Sequence, residues 1–121
     1  MKTLAQEQAI FARNVAKLIE HIFSTGYVCT LGEVYRTPSQ AAVYAKEGKG
    51  ILNSLHCKRL AIDINLFSAD GKYFPESEDY RPFGDYWESL HSSNRWGGNF
   101  PKYHTGARAD GNHYEMRDLR I

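Results

Sequence analysis

The sequence predicts an α+β fold in one small domain of 121 residues. Three observations carry that prediction. A helical stripe runs through the first two dozen residues, and a clean strand alternation lies at mid-chain. Helical and extended segments are also interspersed, through connections too short and irregular for repeated βαβ units. No internal repeat divides the chain, so residues 1–121 are read as a single domain.

Residues 3–24 have the pattern of an amphipathic helix, with Phe11, Val15, Leu18 and Ile22 on one 3.6-residue stripe. Thr3 and Gln6 form a capping-box pattern, and Gly26 supplies a left-handed stop. Tyr27 to Tyr35 is rich in β-branched and aromatic residues and reads as a strand. Thr37, Pro38 and Gln40 then open a short helix reaching about Lys46, closed by Gly48 and Gly50. Arg36 is thereby expected at a strand-to-helix junction.

Leu60 to Phe67 alternates: Leu60, Ile62, Ile64 and Leu66 face the core, which presents Asp63 on the opposite face. Asp70-Gly71 reads as a turn, with Lys72-Tyr73-Phe74 returning as a hairpin. Phe83, Tyr86, Trp87 and Leu90 share a helical face, with Pro82 in the first turn. Asn94 to Asn112 shows no period, and His113 to Met116 alternates briefly as a short strand.

Composition excludes several classes. The chain is 42% hydrophobic and 24% charged, enough for one core and unlike a disordered tail. Fifteen basic against fourteen acidic residues give a formal charge of +1, which argues against a protein built to grip nucleic acid. Cys29 and Cys57 permit one bridge but make neither a disulfide framework nor a zinc knuckle. No apolar run approaches the ~18 residues of a membrane helix, and the start turns polar too soon for a signal peptide. A monomer made without an export signal is the expectation.

The residues with chemistry are Ser54-Leu55-His56, Asp63, and Asp110-Gly111-Asn112-His113. Two imidazoles and a carboxylate, from His56, Asp63 and His113, suit Zn²⁺ and leave a fourth position for water. Asp110, three residues before His113, is near enough to act as a base without binding the metal. The same residues also read as hydrogen-bonding histidines and a solvated strand carboxylate. Arg36 has a structural alternative in a salt bridge to Glu33, and Ser54 in closing a turn. Trp96 either lines a groove or packs to close the site. Glu115 shares a strand face with His113 and is placed to orient its ring. His104 is a spare ligand or, more simply, solvent-exposed, while His21 and His91 have no evident partner. The acidic run Pro75 to Asp79 reads as a solvated helix start rather than a calcium site.

Residues 54–63, Ser-Leu-His-Cys-Lys-Arg-Leu-Ala-Ile-Asp, resemble the S-x-H-x-x-G-x-A-x-D motif of peptidoglycan metallopeptidases. These are the D-alanyl-D-alanine dipeptidase and carboxypeptidase group, together with the phage L-alanyl-D-glutamate endolysins. Asp110 to Glu115 resembles their second motif, Trp96-Gly97-Gly98 the stretch before it, and Arg36 with Gln40 the arginine that precedes the first. The resemblance spans about residues 33–116, with Arg59 standing where the motif has glycine.

The resemblance implies the fold shared with the hedgehog signalling domain and the D,D-peptidases, a central antiparallel sheet flanked by helices. It implies zinc on His56, Asp63 and His113, with Asp110 as catalytic base, Arg36 at the scissile carbonyl and Ser54 in support. Aspartate at position 110 resembles the endolysin branch. The implied activity is hydrolysis of a peptidoglycan stem peptide, as an L-alanyl-D-glutamate endopeptidase made in a host cytoplasm and released to the wall. The alternatives are a D-alanyl-D-alanine carboxypeptidase or dipeptidase, and a non-catalytic zinc-containing wall-binding module.

Overall fold

A computed structural model describes residues 1–103 and 108–120. Helix α1 spans Leu4–Ser24, strand β1 Val28–Leu31, helix α2 Pro38–Lys46, strand β2 Ala61–Phe67, helix α3 Arg81–Leu90, strand β3 Asn94–Trp96 and strand β4 His113–Met116. The four strands form one antiparallel sheet in the order β1-β2-β4-β3.

Each helix begins where its capping chemistry dictates. Thr3 and Gln6 exchange both capping-box bonds at α1, and Thr37 Oγ1 accepts the Gln40 amide at α2. From α1, Phe11, Leu18 and Ile22 are buried, with Val15 packed at the margin. Phe83 and Trp87 of α3 join them, and Phe11 meets Trp87 edge-on. Together α1 and α3 cover the sheet face carrying Ile62, Ile64, Leu66, Tyr114, Trp96 and Met116. Burying each large apolar side chain contributes on the order of 2 kcal/mol, so this face fixes the register.

Because side chains alternate, that register also fixes the opposite face. Asp63 stands directly across from His113, and Arg95 across from Glu115. The four polar residues therefore share the face that the helices leave uncovered.

Several segments differ from the sequence prediction. Strand β1 ends at Leu31, short of Tyr35, because Gly32 and Glu33 together oppose Asp63: Gly32 N donates to Asp63 O, and Asp63 N to Glu33 O. Two residues against one is a β-bulge, which bends the strand out of the sheet. The expected return strand at Lys72 to Phe74 reduces to a bridge between Phe67 and Tyr73. Strand β3 lies inside the stretch without period, too short at three residues to show one. His21 stacks on Tyr86 at 3.9 Å and His91 accepts the Ser93 amide, so neither is without a partner. Both cysteines are free thiols. In the acidic run, Glu78 is bound to Arg81 in a short 3-10 turn.

Candidate metal centre

Ser54 to Arg59 forms a 3-10 turn whose geometry presents His56. Ser54 Oγ accepts the His56 amide, and the His56 carbonyl accepts from Arg36 N and Arg59 N. Arg59 closes the turn at φ 54°, ψ 39°, the left-handed region that glycine enters most readily. Arg59 thus holds a backbone open most readily to glycine, and it lays its guanidinium over the Tyr35 ring at 4.0 Å.

His56 thereby reaches the polar sheet face between Asp63 and His113. The three nearest ligand atoms form an almost regular triangle. His56 Nε2 lies 3.2 Å from His113 Nδ1 and 3.4 Å from Asp63 Oδ1, and the last two are 3.3 Å apart. Well-formed N–H···O bonds settle near 2.9 Å, whereas tetrahedral zinc with bonds of about 2.0–2.2 Å holds its ligands about 3.3–3.5 Å apart. The edges of 3.2–3.4 Å are long for hydrogen bonds and lie close to the second spacing. These residues are the group of potential metal ligands that stands out among the described residues, and their donor set of two nitrogens and one oxygen suits zinc.

The ionisation states fit a preformed anion–cation centre. Burial pushes the Asp63 carboxyl up, but hydrogen bonds and charge from His113 and His56 outweigh it and bring the pKa down to about 2. Burial alone would lower His113; the carboxylates of Asp63 and Glu115 reverse this and raise it to about 9. On its other nitrogen, His113 Nε2 meets Glu115 Oε1 at 2.8 Å, and Glu115 Oε2 meets Arg95 Nη2 at 2.6 Å.

A cleft of about 950 Å³ opens over the centre, and every site residue predicted from sequence lines it except Trp96. Asp110 also lines it; crowding by protein raises the pKa of its carboxyl, with the electrostatic influence of His113, His56 and Arg36 opposing and Asp63 adding to the rise. The salt bridge left as an alternative for Arg36 is present, at 2.6 Å to Glu33, while Nη1 reaches Ser54 Oγ at 3.3 Å. Trp96 does not line a groove. Its ring is fully buried between Gly84 and Gly98, and its Nε1 donates to Gly111 O in the loop that carries Asp110. His104 lies outside the described residues.

Sequence reasoning missed Arg95 and the place of Glu33 beside His56. Arg95 is found only through the β3–β4 register, and Glu33 only through the bulge that turns it toward His56.

No family model matches the chain, and neither does any curated protein. Solved structures do share its fold. The L-Ala D-Glu endopeptidase ChiX of Serratia marcescens superposes with a TM-score of 0.66 at 16% identity, over 97% of this chain and 90% of that one. The vancomycin-resistance D,D-pentapeptidase VanY from a VanB-type cassette, solved with Zn(II), gives 0.61 at 19% identity, over 91% of this chain and 72% of that one. The fold is that of these peptidases.

Proposed function

We propose that this protein is a zinc-dependent peptidase that hydrolyses a peptide bond in the stem of peptidoglycan, acting as an L-alanyl-D-glutamate endopeptidase. The observation that carries the reading is the His56–Asp63–His113 triangle, which brings two imidazole nitrogens and a carboxylate oxygen within 3.2 to 3.4 Å of one another, close to the spacing of ligands on one tetrahedral ion. Zinc held by His56, Asp63 and His113 would supply Lewis acidity to polarise the scissile carbonyl and acidify an attacking water. Asp110 is placed to take the proton of an attacking water and pass it to the leaving amine. Arg36, held by Glu33 and Ser54, lines the cleft and is the guanidinium assigned to the developing negative charge on the carbonyl oxygen.

The rest of the cleft fits a substrate rich in carboxylates. Arg108 and Arg117 line it, and neither pairs with a carboxylate among the described residues. Structural likeness to ChiX supports the endopeptidase assignment; likeness to VanY supports a second reading, removal of a terminal D-alanine. Wall lysis in the manner of a phage endolysin, by a monomer acting after release from the cytoplasm, belongs to the same proposal.

Mass spectrometry of purified sacculi digested with and without a chelator tests both readings. Cleavage between L-alanine and D-glutamate, abolished by the chelator and restored by zinc, is the expected result. Release of free D-alanine would select the second reading, and stem peptides unchanged in mass would reject peptidase activity altogether.

A further inference from the structure

Each imidazole of the centre backs onto a carboxylate, and each carboxylate onto an arginine. One series is His113, Glu115 and Arg95, already described. The other is His56, Glu33 and Arg36: His56 Nδ1 faces Glu33 Oε1 at 3.4 Å, and that oxygen meets Arg36 Nη2 at 2.6 Å. His56 Nδ1 and Glu33 Oε1 are both buried and make no well-formed hydrogen bond as they stand. The backbone holds them together, since Asp63 N donates to Glu33 O and Arg36 N to His56 O.

We propose that Glu33 is a positioning residue for the metal, accepting the Nδ1 proton of His56 and so directing the Nε2 lone pair at Asp63 and His113. This rests on the metal reading above. A neutral imidazole has one N–H and one lone pair. For His56 to ligate through Nε2, its proton must sit on Nδ1, and a buried N–H without an acceptor is costly. Glu33 is the carboxylate facing that nitrogen. Arg36 anchors it while Ser54 Oγ and the Tyr44 ring hold the guanidinium. Arg36 thus also acts through Glu33 on the ligand, and the β1 bulge is the device that delivers Glu33 to the site.

The test is zinc affinity, measured by competition with a chromophoric chelator, for the unaltered protein, Glu33→Ala and Glu33→Gln. Glu33→Ala should weaken zinc binding by about 10–100-fold. Glu33→Gln, whose amide oxygen still accepts, should weaken it by less. Long-range ¹H–¹⁵N NMR of the zinc-loaded unaltered protein should show His56 protonated at Nδ1 and His113 at Nε2. An affinity for Glu33→Ala within twofold of the unaltered protein, even with a lowered melting temperature, would overturn the proposal. So would His56 protonated at Nε2. If the unaltered protein takes up no zinc, the metal reading itself fails, and this inference with it.

Discussion

His113 and Glu115, two residues apart on β4, meet at 2.8 Å between Nε2 and Oε1, while Arg95 from β3 grips the other Glu115 oxygen at 2.6 Å. The carboxylate is buried, so removing it strips His113 of its anchor and leaves the Arg95 guanidinium without its counter-charge. Glu115→Gln preserves shape but loses the ion pair. It should lower zinc affinity by about 10–100-fold and stability by roughly 1–3 kcal/mol. Chelator competition and thermal unfolding of the metal-free protein measure the two effects separately.

The ionisation of the triangle makes metal-free stability depend on pH in a defined window. His113 has a folded pKa raised to about 9, so its stabilisation is complete below the unfolded value near 6.5 and is lost as pH rises through 9. Asp63 has a folded pKa lowered to about 2. Its stabilisation is complete above the unfolded value near 3.9 and is lost as pH falls through 2. Melting temperatures of the metal-free protein should therefore plateau between about pH 4 and 6.5 and decline toward pH 9.

On the proposed metal reading, zinc displaces the His113 Nδ1 proton, which reverses the alkaline trend. Calorimetric titration at pH 7 in two buffers of different ionisation enthalpy should show release of about one proton per zinc, with affinity rising up to tenfold per pH unit toward 9. An affinity constant from pH 7 to 8.5 would contradict the involvement of His113.

The meeting of His56, Asp63 and His113 was legible because strand alternation in residues 60–67 sets Asp63 against the core face, and the resemblance to the peptidase motifs supplies the histidines. The long helices were legible for the same reason: Thr3, Gln6 and the Phe11–Ile22 stripe act locally. Arg95 and Glu33 were not, because their roles arise from pairing between distant segments. Arg95 finds Glu115 only by register across a three-residue strand, and Glu33 finds His56 only through a bulge created where Gly32 and Asp63 meet. The place of Trp96 was ambiguous because tryptophan beside two glycines serves burial and binding equally well in sequence. The closeness of Gly84 and Gly98 to its ring decides for burial.

Arg59 sits in a left-handed turn that costs an L-residue about 1 kcal/mol over glycine. Its cation–π contact with Tyr35 recovers about 0.5–1 kcal/mol at an exposed site. Arg59→Ala keeps the strain and loses the contact, so it should be destabilised by about 0.5–1 kcal/mol. Arg59→Gly relieves the strain as it loses the contact and should unfold within about 0.5 kcal/mol of the unaltered protein. Urea denaturation of the two variants gives the comparison; Ala equal to or more stable than Gly would show that the backbone is not held left-handed.

Gly97 tests how the loop that carries Asp110 is seated. A Cβ at this position would collide with Asp110 O and stand 2.8 Å from His113 Cβ, between two stretches of backbone that have no flexible end to yield. The Asp110 amide also donates to Gly97 O at 2.8 Å. Gly97→Ala must push Asp110 and His113 apart from β3, at a cost of about 1–3 kcal/mol. Zinc content and hydrolysis should fall together, as read by metal analysis and product formation on the same preparation.

Asp110 separates chemistry from architecture. It lines the cleft yet is not one of the three atoms in the triangle, so its loss should spare the metal. Its carboxyl pKa, raised by crowding, brings it nearer to neutrality, where a base that must both take and return a proton works best. Asp110→Ala should bind zinc as the unaltered protein does and retain its melting temperature. Its kcat should drop by about 10²–10⁴-fold, the usual contribution of general acid–base catalysis, and the acid limb of the pH–rate profile should vanish with it. Full activity in this variant would assign proton transfer to another group, whereas loss of zinc would mean that Asp110 reaches the metal. Measuring metal content and kcat on one sample distinguishes these outcomes.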